Sequence, residues 1–383
     1  MDRWAEQTLD ELRSSGLFRD PVDSALHQHE APGGGPWVDA CSNDYLGLAA
    51  RLVSRETMNG ARVGAAASRL VQGTFREHEA LEAELANWVG TEACLMLPSA
   101  FAANVGLIPV LASDPKSLVV SDALNHASIV DGCRLARGRT VVTPHLSLDA
   151  VADALARRDP HAPAWVVTEG LFSMDGDSPD LARLRALCDR YEAGLVVDEA
   201  HSLGVLGPGG SGAAAAAGAR ADVYVAGLGK AIGGQGGMIA CSAVMRSLLW
   251  NRARSFVFST GVSPAFASLM LGQVRAAREA DAERARLREH AAALRTALSR
   301  CPLPASTVPS PTAAAGPIVP VLLGTNERAM LAMDQLRQRG VLAQAIRPPT
   351  VPVGQARLRL TAHADWPREA IERIAEGVEA ACA

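Results

Sequence analysis

Short apolar runs separated by helical stretches fill the middle of the chain, and their hydrophobicity is continuous rather than alternating. Strands buried on both faces of a mostly parallel sheet have this pattern, with helices covering the faces. The runs are residues 93–97, 118–121, 140–143, 165–168, 195–197, 223–226 and 238–241. They predict a large α/β domain with its ligand site beyond the carboxyl ends of the strands, where Ser99, Asp122, Glu169, Asp198 and Lys230 follow them.

Helical periodicity marks further segments on either side of these runs. We predict an amphipathic helix over residues 1–18, a helix over 77–89 with Thr74 and Glu77 as its capping box, and one long helical stretch over about 264–300. After a Pro/Ala-rich connection (301–316), a small α+β unit is predicted from strands near 318–323, 342–346 and 357–360 and helices over 327–339 and from about 367. The expected division is an N-terminal helical segment (1–40), a large α/β domain (41–275) and a small C-terminal domain (276–383).

Composition narrows the possible functions of this chain. Its 383 residues, 48% of them hydrophobic, can form the cores of two domains. A formal charge of -4 argues against nucleic acid as the main partner. The seven cysteines are scattered without a C-x-x-C pair, which favours reduced thiols in the cytoplasm over disulfides or a metal site. The charged N-terminus and the lack of an apolar run of about 18 residues predict neither a signal peptide nor a membrane span.

Lysine is rare in this chain: 35 of the 37 basic residues are arginine, and the two lysines are Lys116 and Lys230. Lys230 lies in the glycine-rich stretch G-L-G-K-A, directly after the apolar run 223–226. An amine can lose its proton and attack a carbonyl, whereas a guanidinium stays charged. This indicates a Schiff-base lysine, although a surface charge that survived a high-GC coding bias is the alternative.

Other residues at the strand ends add candidate chemistry. Asp198 could pair with a protonated pyridine nitrogen and keep the ring an electron sink, or it could simply cap a helix beside a core histidine, His201. His126 could stack on a planar cofactor, and Ser173 could bond a ring substituent, although a structural histidine and ordinary turn chemistry are the alternatives. The segment S-A-F-A-A-N (99–104) opens a helix after a strand, so its backbone N–H groups could bind an anion.

Seven motifs in fixed order give these candidates a common context. They are S-N-D-Y-L-G-L, S-R-L-V-Q-G-T, N-H-A-S, E-G-L-F-S-M-D-G-D, V-D-E-A-H-S-L-G-V, G-L-G-K-A and A-I-R-P-P-T-V-P-V-G-Q-A-R-L-R-L-T. From about residue 10 to its end, the chain resembles the α-oxoamine synthases. These are pyridoxal phosphate (PLP)-dependent acyl-CoA transferases of the aspartate aminotransferase fold, fold type I. The resemblance implies a large, mostly parallel-sheet domain with a smaller α+β C-terminal domain.

The resemblance also implies roles for individual residues. Lys230, His126 and Asp198 would form the catalytic set: Lys230 would bond PLP covalently, Asp198 would bind the pyridine nitrogen and His126 would stack on the ring. Further cofactor contacts would come from Ser173 and His201 at the ring hydroxyl, the backbone of Ala100 and Phe101 at the phosphate, and Thr260 from a second subunit. The shared site implies a homodimer. Substrate would be bound by His126, Asn43, Arg19, Thr350 and Arg359, with Arg359 at the amino-acid carboxylate.

The implied reaction is a decarboxylative condensation of an amino acid with an acyl thioester. The stretch I-R-P-P-T-V-P is most similar to the branch that joins L-alanine to a pimeloyl thioester, giving 8-amino-7-oxononanoate for biotin. Glycine with acetyl-CoA, alanine or serine with another acyl thioester, and a degenerate scaffold protein remain open. So does the choice between CoA and an acyl carrier protein.

Two positions depart from the pattern of the family. A threonine that bonds the phosphate is usual where this chain has Gly227, and glycine is common where it has Ala100. One lost hydroxyl contact to a charged group costs about 1.5 to 3 kcal/mol. We therefore expect weakened cofactor binding with an unchanged class of reaction.

Overall fold

The computed structural model describes residues 2–19, 30–32, 34–51, 62–301, 316–367 and 369–382. The chain divides into two compact units. The larger one comprises Asn43–Ser173 and Asp177–Arg284, and the smaller one comprises Met1–Ser42, Met174–Gly176 and Ala285–Ala383. The division expected from the sequence, with boundaries after residues 40 and 275, stays a prediction.

All seven apolar runs form strands, as predicted. In chain order the strands are β1 (Val38–Asp39), β2 (Ala93–Leu97), β3 (Leu118–Asp122), β4 (Arg139–Thr143), β5 (Ala164–Glu169), β6 (Gly194–Asp198), β7 (Val223–Gly227), β8 (Gly237–Cys241), β9 (Ile318–Gly324), β10 (Val341–Leu342), β11 (Gln344–Ile346) and β12 (Ala356–Thr361). The strand predicted over 342–346 is interrupted at Ala343, so that its two halves join different sheets.

Helices connect and cover these strands. They are α1 (Asp2–Ser14), α2 (Arg76–Val89), α3 (Ala100–Leu111), α4 (Ala127–Leu135), α5 (Leu148–Ala156), α6 (Leu181–Arg190), α7 (Ala213–Ala216), α8 (Ala243–Arg252), α9 (Arg254–Val257), α10 (Pro264–Arg278), α11 (Asp281–Arg300), α12 (Asn326–Gln338) and α13 (Ala370–Cys382). Within the described ranges, none is both long and apolar enough to cross a bilayer.

The larger unit is built on a seven-stranded sheet in the order β2-β8-β7-β6-β5-β3-β4. Strands β4, β3, β5, β6 and β7 pair in parallel, and β8 runs antiparallel to both β7 and β2. The core between α3 and the sheet contains Leu107, Val119, Val196 and Ile239, all without exposed surface. The carboxyl ends of the parallel strands therefore lie along one edge, which positions the polar residues that follow them.

The smaller unit contains a three-stranded antiparallel sheet in the order β11-β12-β9 and a short parallel pair, β1 with β10. The buried face of helix α12 consists of Ala329, Ala332 and Leu336. Most of the predicted Pro/Ala-rich connection, 302–315, lies outside the described residues. Helix α1 is shorter than predicted and none of its side chains is buried; Trp4 is 74% exposed.

Two predictions about helix ends are wrong. The N-cap of α2 is Phe75, and the third residue of the helix, His78, accepts a hydrogen bond from the Phe75 N–H at its Nδ1 (3.2 Å). Thr74 instead donates to the carbonyl of Arg69 (2.7 Å). Thr74 precedes the N-cap, and its hydroxyl also accepts from Nε of Arg69 (3.0 Å), so it does not form the capping box with Glu77.

The helical stretch predicted over 264–300 is two helices that break at Glu279 and Ala280. Two carbonyls in the last turn of α10 accept from the buried guanidinium of Arg284, which donates to Ala277 (2.6 Å) and Arg278 (2.7 Å). A charged donor that satisfies these carbonyls stabilises the interruption.

Candidate active site

A cluster of polar side chains lies where the parallel strands of the larger unit end. Glu169 ends β5, Asp198 ends β6 directly opposite it in register, and Gly227 ends β7. Lys230 follows β7 by three residues. The parallel sheet thus brings together residues that are far apart in the chain, as the sequence predicted.

Asp198 is a buried carboxylate with two hydrogen-bond donors, and only 4% of its surface is exposed. The N–H of Ala200 donates to Oδ1 (2.9 Å), and the side-chain amide of Asn104 in α3 donates to Oδ2 (2.7 Å). The same amide nitrogen donates to the hydroxyl of Ser128 (3.0 Å). Donors of this kind stabilise the ionised form of a carboxylate. Asn104 was missed by the sequence analysis, although it ends the quoted motif S-A-F-A-A-N.

Lys230 terminates a chain of hydrogen bonds. Its Nζ lies 2.6 Å from Nε2 of His201, whose Nδ1 lies 2.7 Å from the hydroxyl of Tyr45. That hydroxyl donates its single hydrogen to Asn43 Oδ1 (2.9 Å), so Nδ1 of His201 must donate to Tyr45 and Nε2 is left to accept from Lys230. The geometry therefore places a proton on Nδ1 of His201 and brings Nε2 into contact with the amine. Tyr45, which the sequence analysis did not single out, fixes the tautomer.

His126 immediately precedes α4 and acts as its N-cap. Its Nδ1 accepts from the N–H of Ser128 (3.2 Å) and lies 2.8 Å from the Ser128 hydroxyl. Burial lowers the pKa of His126, the charge of Lys230 lowers it further, and the charge of Asp198 opposes both. The ring is thus a neutral aromatic plane near the two charged residues, and it meets Phe101 edge-on at 6.4 Å.

The start of α3 is the helix N-terminus for which the sequence predicted an anion site. The hydroxyl of Ser99 caps the helix by accepting from the N–H of Ala102 (3.1 Å), and Ala100 and Phe101 form the first turn. Gly227 lies beside this turn: a Cβ added to it would be 3.6 Å from Cβ of Ala100. At Gly237 of β8, an added Cβ would come within 2.3 Å of the Ala100 nitrogen, so the strand can pass the helix start only as glycine.

The loop that carries Ser173 is held by His145, a residue missed by the sequence analysis. Its Nδ1 lies 2.8 Å from Asp122 Oδ1 and its Nε2 lies 3.0 Å from Asp177 Oδ2, while Phe172 packs edge-on against the ring at 4.5 Å. These hydrogen bonds and the two carboxylate charges raise the pKa of His145 to about 10, against the effect of burial. The imidazolium therefore joins the end of β3 to the loop after β5.

Thr260 lies in an exposed segment whose backbone is tied to the motif S-R-L-V-Q-G-T. It forms an isolated antiparallel bridge with Ser68, and the N–H of Gly261 donates to the carbonyl of Ala67 (2.9 Å). Arg69, in the same motif, is buried and forms a two-pronged ion pair with Glu82 (2.9 and 3.2 Å). The buried pair thus supports the segment from which Thr260 projects.

Three of the predicted substrate residues belong to the smaller unit. Arg359 is a buried residue of β12, opposite Pro320 of β9 and Gln344 of β11. Thr350 is exposed in the loop between β11 and β12, with its N–H donating to the carbonyl of Arg347 (3.2 Å). Arg19 is exposed after α1. Burial of Arg347 lowers the pKa of its guanidinium, and the charge of Arg19 lowers it further. Their substrate roles stay predictions.

The residues of the larger unit fit pyridoxal phosphate. A half-buried amine in contact with an imidazole nitrogen suits carbonyl chemistry, a buried carboxylate held by two donors suits a protonated ring nitrogen, and a helix N-terminus suits a phosphate. The one position that supplies less than expected is Gly227, which has no hydroxyl. Among the described residues, no group of three or more His, Cys, Asp or Glu side chains is arranged to hold a metal ion.

Comparison with known proteins shows the family to which the chain belongs. The family "Aminotransferase class I and II" matches residues 36–378. The 8-amino-7-oxononanoate synthase of Anaeromyxobacter dehalogenans is 42% identical over 365 residues, covering 93% of this chain and 90% of that protein. The one of Geobacter sulfurreducens is 42% identical over 387 residues, covering 97% and 96%.

Solved structures of serine palmitoyltransferase (SPT) are similar over nearly the whole chain. The Sphingomonas wittichii enzyme has a TM-score of 0.87 at 28% identity, covering 99% of this chain and 96% of that one. A structure of SPT with PLP has a TM-score of 0.88 at 27% identity, covering 98% and 96%. The predicted fold type I architecture is confirmed.

Proposed function

The chain belongs to the class I and II aminotransferase family and, within it, to the 8-amino-7-oxononanoate synthases, and we propose that it condenses L-alanine with a pimeloyl thioester in biotin synthesis. A carbon–carbon bond forms between Cα of alanine and the thioester carbonyl. The C–S bond and the bond to the alanine carboxylate break, releasing free thiol and CO2 and leaving 8-amino-7-oxononanoate. The observation that carries this proposal is the amine of Lys230 in contact with Nε2 of His201, at the strand edge that also holds Asp198.

The cofactor in this proposal is pyridoxal phosphate, which supplies an electron-accepting ring that stores the charge left at a deprotonated Cα. Lys230 would bind it covalently, Asp198 would pair with the ring nitrogen, and His126 would lie against the ring face. Ser173 and His201 would contact the hydroxyl group of the cofactor ring. The backbone of Ala100 and Phe101 would bind the phosphate, together with Thr260 of a second copy.

The proton transfers fall to residues of this chain. Nζ of Lys230 is the base for the Cα proton, since a group poised to gain and lose a proton must lie at the reacting carbon. His201 accepts a hydrogen bond from that amine at Nε2, which keeps the nitrogen lone pair oriented only while the imidazole stays neutral. Tyr45 fixes the tautomer, because its hydroxyl accepts from Nδ1 and Nε2 is the nitrogen that faces the amine. Arg359, with Asn43, Arg19 and Thr350, is proposed to bind the substrate.

The enzyme is proposed to work as a homodimer. Apolar side chains are exposed in the segments near Thr260 and α3, including Phe258 (71%), Leu135 (61%) and Phe101 (46%). A groove of about 960 Å³ in this region is lined by Val105, Leu135, Leu248 and Phe258, among others. A second copy would cover this surface and bring its own Thr260 to the site. We also propose that the enzyme is cytoplasmic, with its cysteines reduced; the six whose side chains the structure describes form no disulfide.

The test is an assay of thiol release by the purified, PLP-loaded protein. L-alanine, glycine and L-serine are each offered with pimeloyl-CoA, pimeloyl acyl carrier protein, acetyl-CoA and palmitoyl-CoA. We expect L-alanine with a pimeloyl thioester to give the highest kcat/KM, and Lys230→Ala to release no thiol. Preference for serine with palmitoyl-CoA, the chemistry named by the structural neighbours, would replace the proposal. No turnover with any pair, together with no cofactor absorbance, would favour a scaffold.

A further inference from the structure

Glu169 is a buried carboxyl group to which the proposed reaction assigns no task. It ends β5, only 3% of its surface is exposed, and its Cα is the register partner of Asp198 on the neighbouring strand. The backbone of the two strands is joined immediately beyond this pair, where the N–H of Gly170 donates to the carbonyl of Asp198 (2.8 Å). Two acidic side chains thus lie next to each other at the buried edge that holds the site.

The two oxygens of Glu169 have different surroundings. Backbone N–H groups of His126 and Ser173 donate to the carboxyl group, whereas Oε1 is buried and has no hydrogen-bond partner among the described residues. His126 begins the segment leading into α4, and Ser173 lies in the loop after β5. One carboxyl group therefore joins the backbones of two segments that carry proposed cofactor contacts.

A buried oxygen without a partner is costly when it is charged and much less costly when it carries a proton. Asp198 has side-chain and backbone donors for both oxygens, so the negative charge is better placed there. Burial raises the pKa of Glu169 to about 8, and the charge of Asp198 raises it in the same direction. Lys230 opposes the shift, as do the donating N–H groups. Two imidazoles also face the site, that of His126, whose pKa is lowered by burial, and that of His201.

We infer that Glu169 is a positioning residue that holds a proton in the resting enzyme. It fixes the backbones of His126 and Ser173 through its accepting oxygen and leaves Asp198 as the ionised member of the pair. The inference rests on the proposed function in that His126, Ser173 and Asp198 are given their cofactor contacts there. The role requires no contact between Glu169 and the cofactor: it acts through the two backbone segments and through its own lack of charge.

The protonation state can be measured directly. Infrared difference spectra between the wild-type chain and Glu169→Gln, with and without PLP, report the carbonyl band of a protonated carboxylic acid. We expect that band in the wild type at neutral pH, its absence in E169Q, and its loss as the pH rises through about 8. The inference is overturned if the wild type shows only carboxylate bands at neutral pH, or if the protonated band persists in E169Q and disappears in Asp198→Asn.

The positioning role needs a second pair of variants. Glu169→Gln keeps a neutral group with an accepting oxygen, whereas Glu169→Leu has a similar volume and no acceptor. We expect E169Q to bind PLP within about threefold of the wild type and E169L to bind it at least about tenfold more weakly, because two buried N–H groups lose their acceptor. Equal PLP affinity of E169Q and E169L would overturn the role.

Stability of the cofactor-free chain gives a readout that does not depend on catalysis. A carboxyl group whose pKa is raised by folding takes up a proton on folding. The cost of Glu169 to the free energy of folding therefore grows as pH rises from about 4.5 to about 8 and is constant above that. The Tm of E169Q relative to the wild type should therefore rise over that interval. A flat difference contradicts a proton held by Glu169, even if the enzyme proves to use other substrates.

Discussion

Gly227 gives a prediction in which adding a side chain should improve the protein. The change is Gly227→Thr, with Gly227→Val as a control of nearly the same shape. A Cβ at this position meets Cβ of Ala100 at 3.6 Å and Cβ of Ala200 at 3.9 Å, ordinary contact distances that require no shift. The added hydroxyl would lie beside the first turn of α3, where the phosphate of the cofactor is proposed to bind.

The expected gain follows from the partner of the hydroxyl. A hydrogen bond to a charged group is worth about 1.5 to 3 kcal/mol, which corresponds to a decrease in the Kd for PLP of roughly 10- to 150-fold. Replacing glycine by a β-branched residue at the end of a strand also stabilises the fold by restricting the unfolded chain. Valine shares that effect and lacks the hydroxyl, so the difference between the two variants isolates the hydrogen bond.

The assay is a titration of cofactor-free protein with PLP, followed by absorbance, for the wild type, G227T and G227V. Repeating it with pyridoxal, which has no phosphate, provides a second control. We expect threonine to bind PLP more tightly than valine and to lose that advantage with pyridoxal. Equal Kd values for threonine and valine, or an advantage that persists with pyridoxal, would refute the reasoning about both Gly227 and the helix start.

Three further predictions concern other parts of the molecule. His145→Gln should lower the free energy of unfolding by about 1 to 2 kcal/mol, a value between those of surface and buried ion pairs because the side chain is 22% exposed. Folding raises the pKa of His145 from 6.5 to about 10, so its stabilisation is complete below about pH 6.5. The difference from the wild type, measured by chemical unfolding, should therefore shrink as pH rises through about 10. Asp198→Asn should reduce kcat by roughly 10²–10³-fold while cofactor absorbance shows that Lys230 still reacts, because the charge opposite the ring nitrogen is lost; an unchanged kcat would assign that charge elsewhere. Phe258→Asp should convert a dimer into a monomer in light scattering and abolish activity, and a dimer that persists would place the interface on another surface.

The sequence predicts the fold and the edge of the sheet where the site lies, because both follow from local patterns. Each apolar run became a strand, and Asp198 and Lys230 reached one edge because parallel strands end together. The membership predicted from the seven ordered motifs is confirmed by relatives at about 42% identity. The residues that the sequence did not predict are those whose role depends on a contact with a residue far away in the chain.

Tyr45 contacts a histidine 156 residues later in the chain, and Asn104 contacts an aspartate 94 residues later. Both residues lie inside motifs in which other residues were the candidates, and neither composition nor spacing singled out Tyr45 or Asn104. His145 lies outside every motif, and its two carboxylate partners come from different strand ends. The break at Glu279 was missed for another reason. Arg284, which donates to the carbonyls of Ala277 and Arg278, looks in the sequence like any other charged residue of a helical stretch.

The hydrogen-bonded series from Asn43 through Tyr45 and His201 to Lys230 has a consequence for how the enzyme is measured. His201 and Lys230 are ionisable groups in direct contact, and strongly interacting groups titrate with apparent pKa values that belong to the pair, so a pKa observed at the lysine by spectroscopy is not that of the amine alone. A change at Tyr45, which does not touch the amine, would therefore be recorded at Lys230. The loop that carries Asn43 and Tyr45 therefore influences how Nζ of Lys230 titrates, although it does not contact that nitrogen.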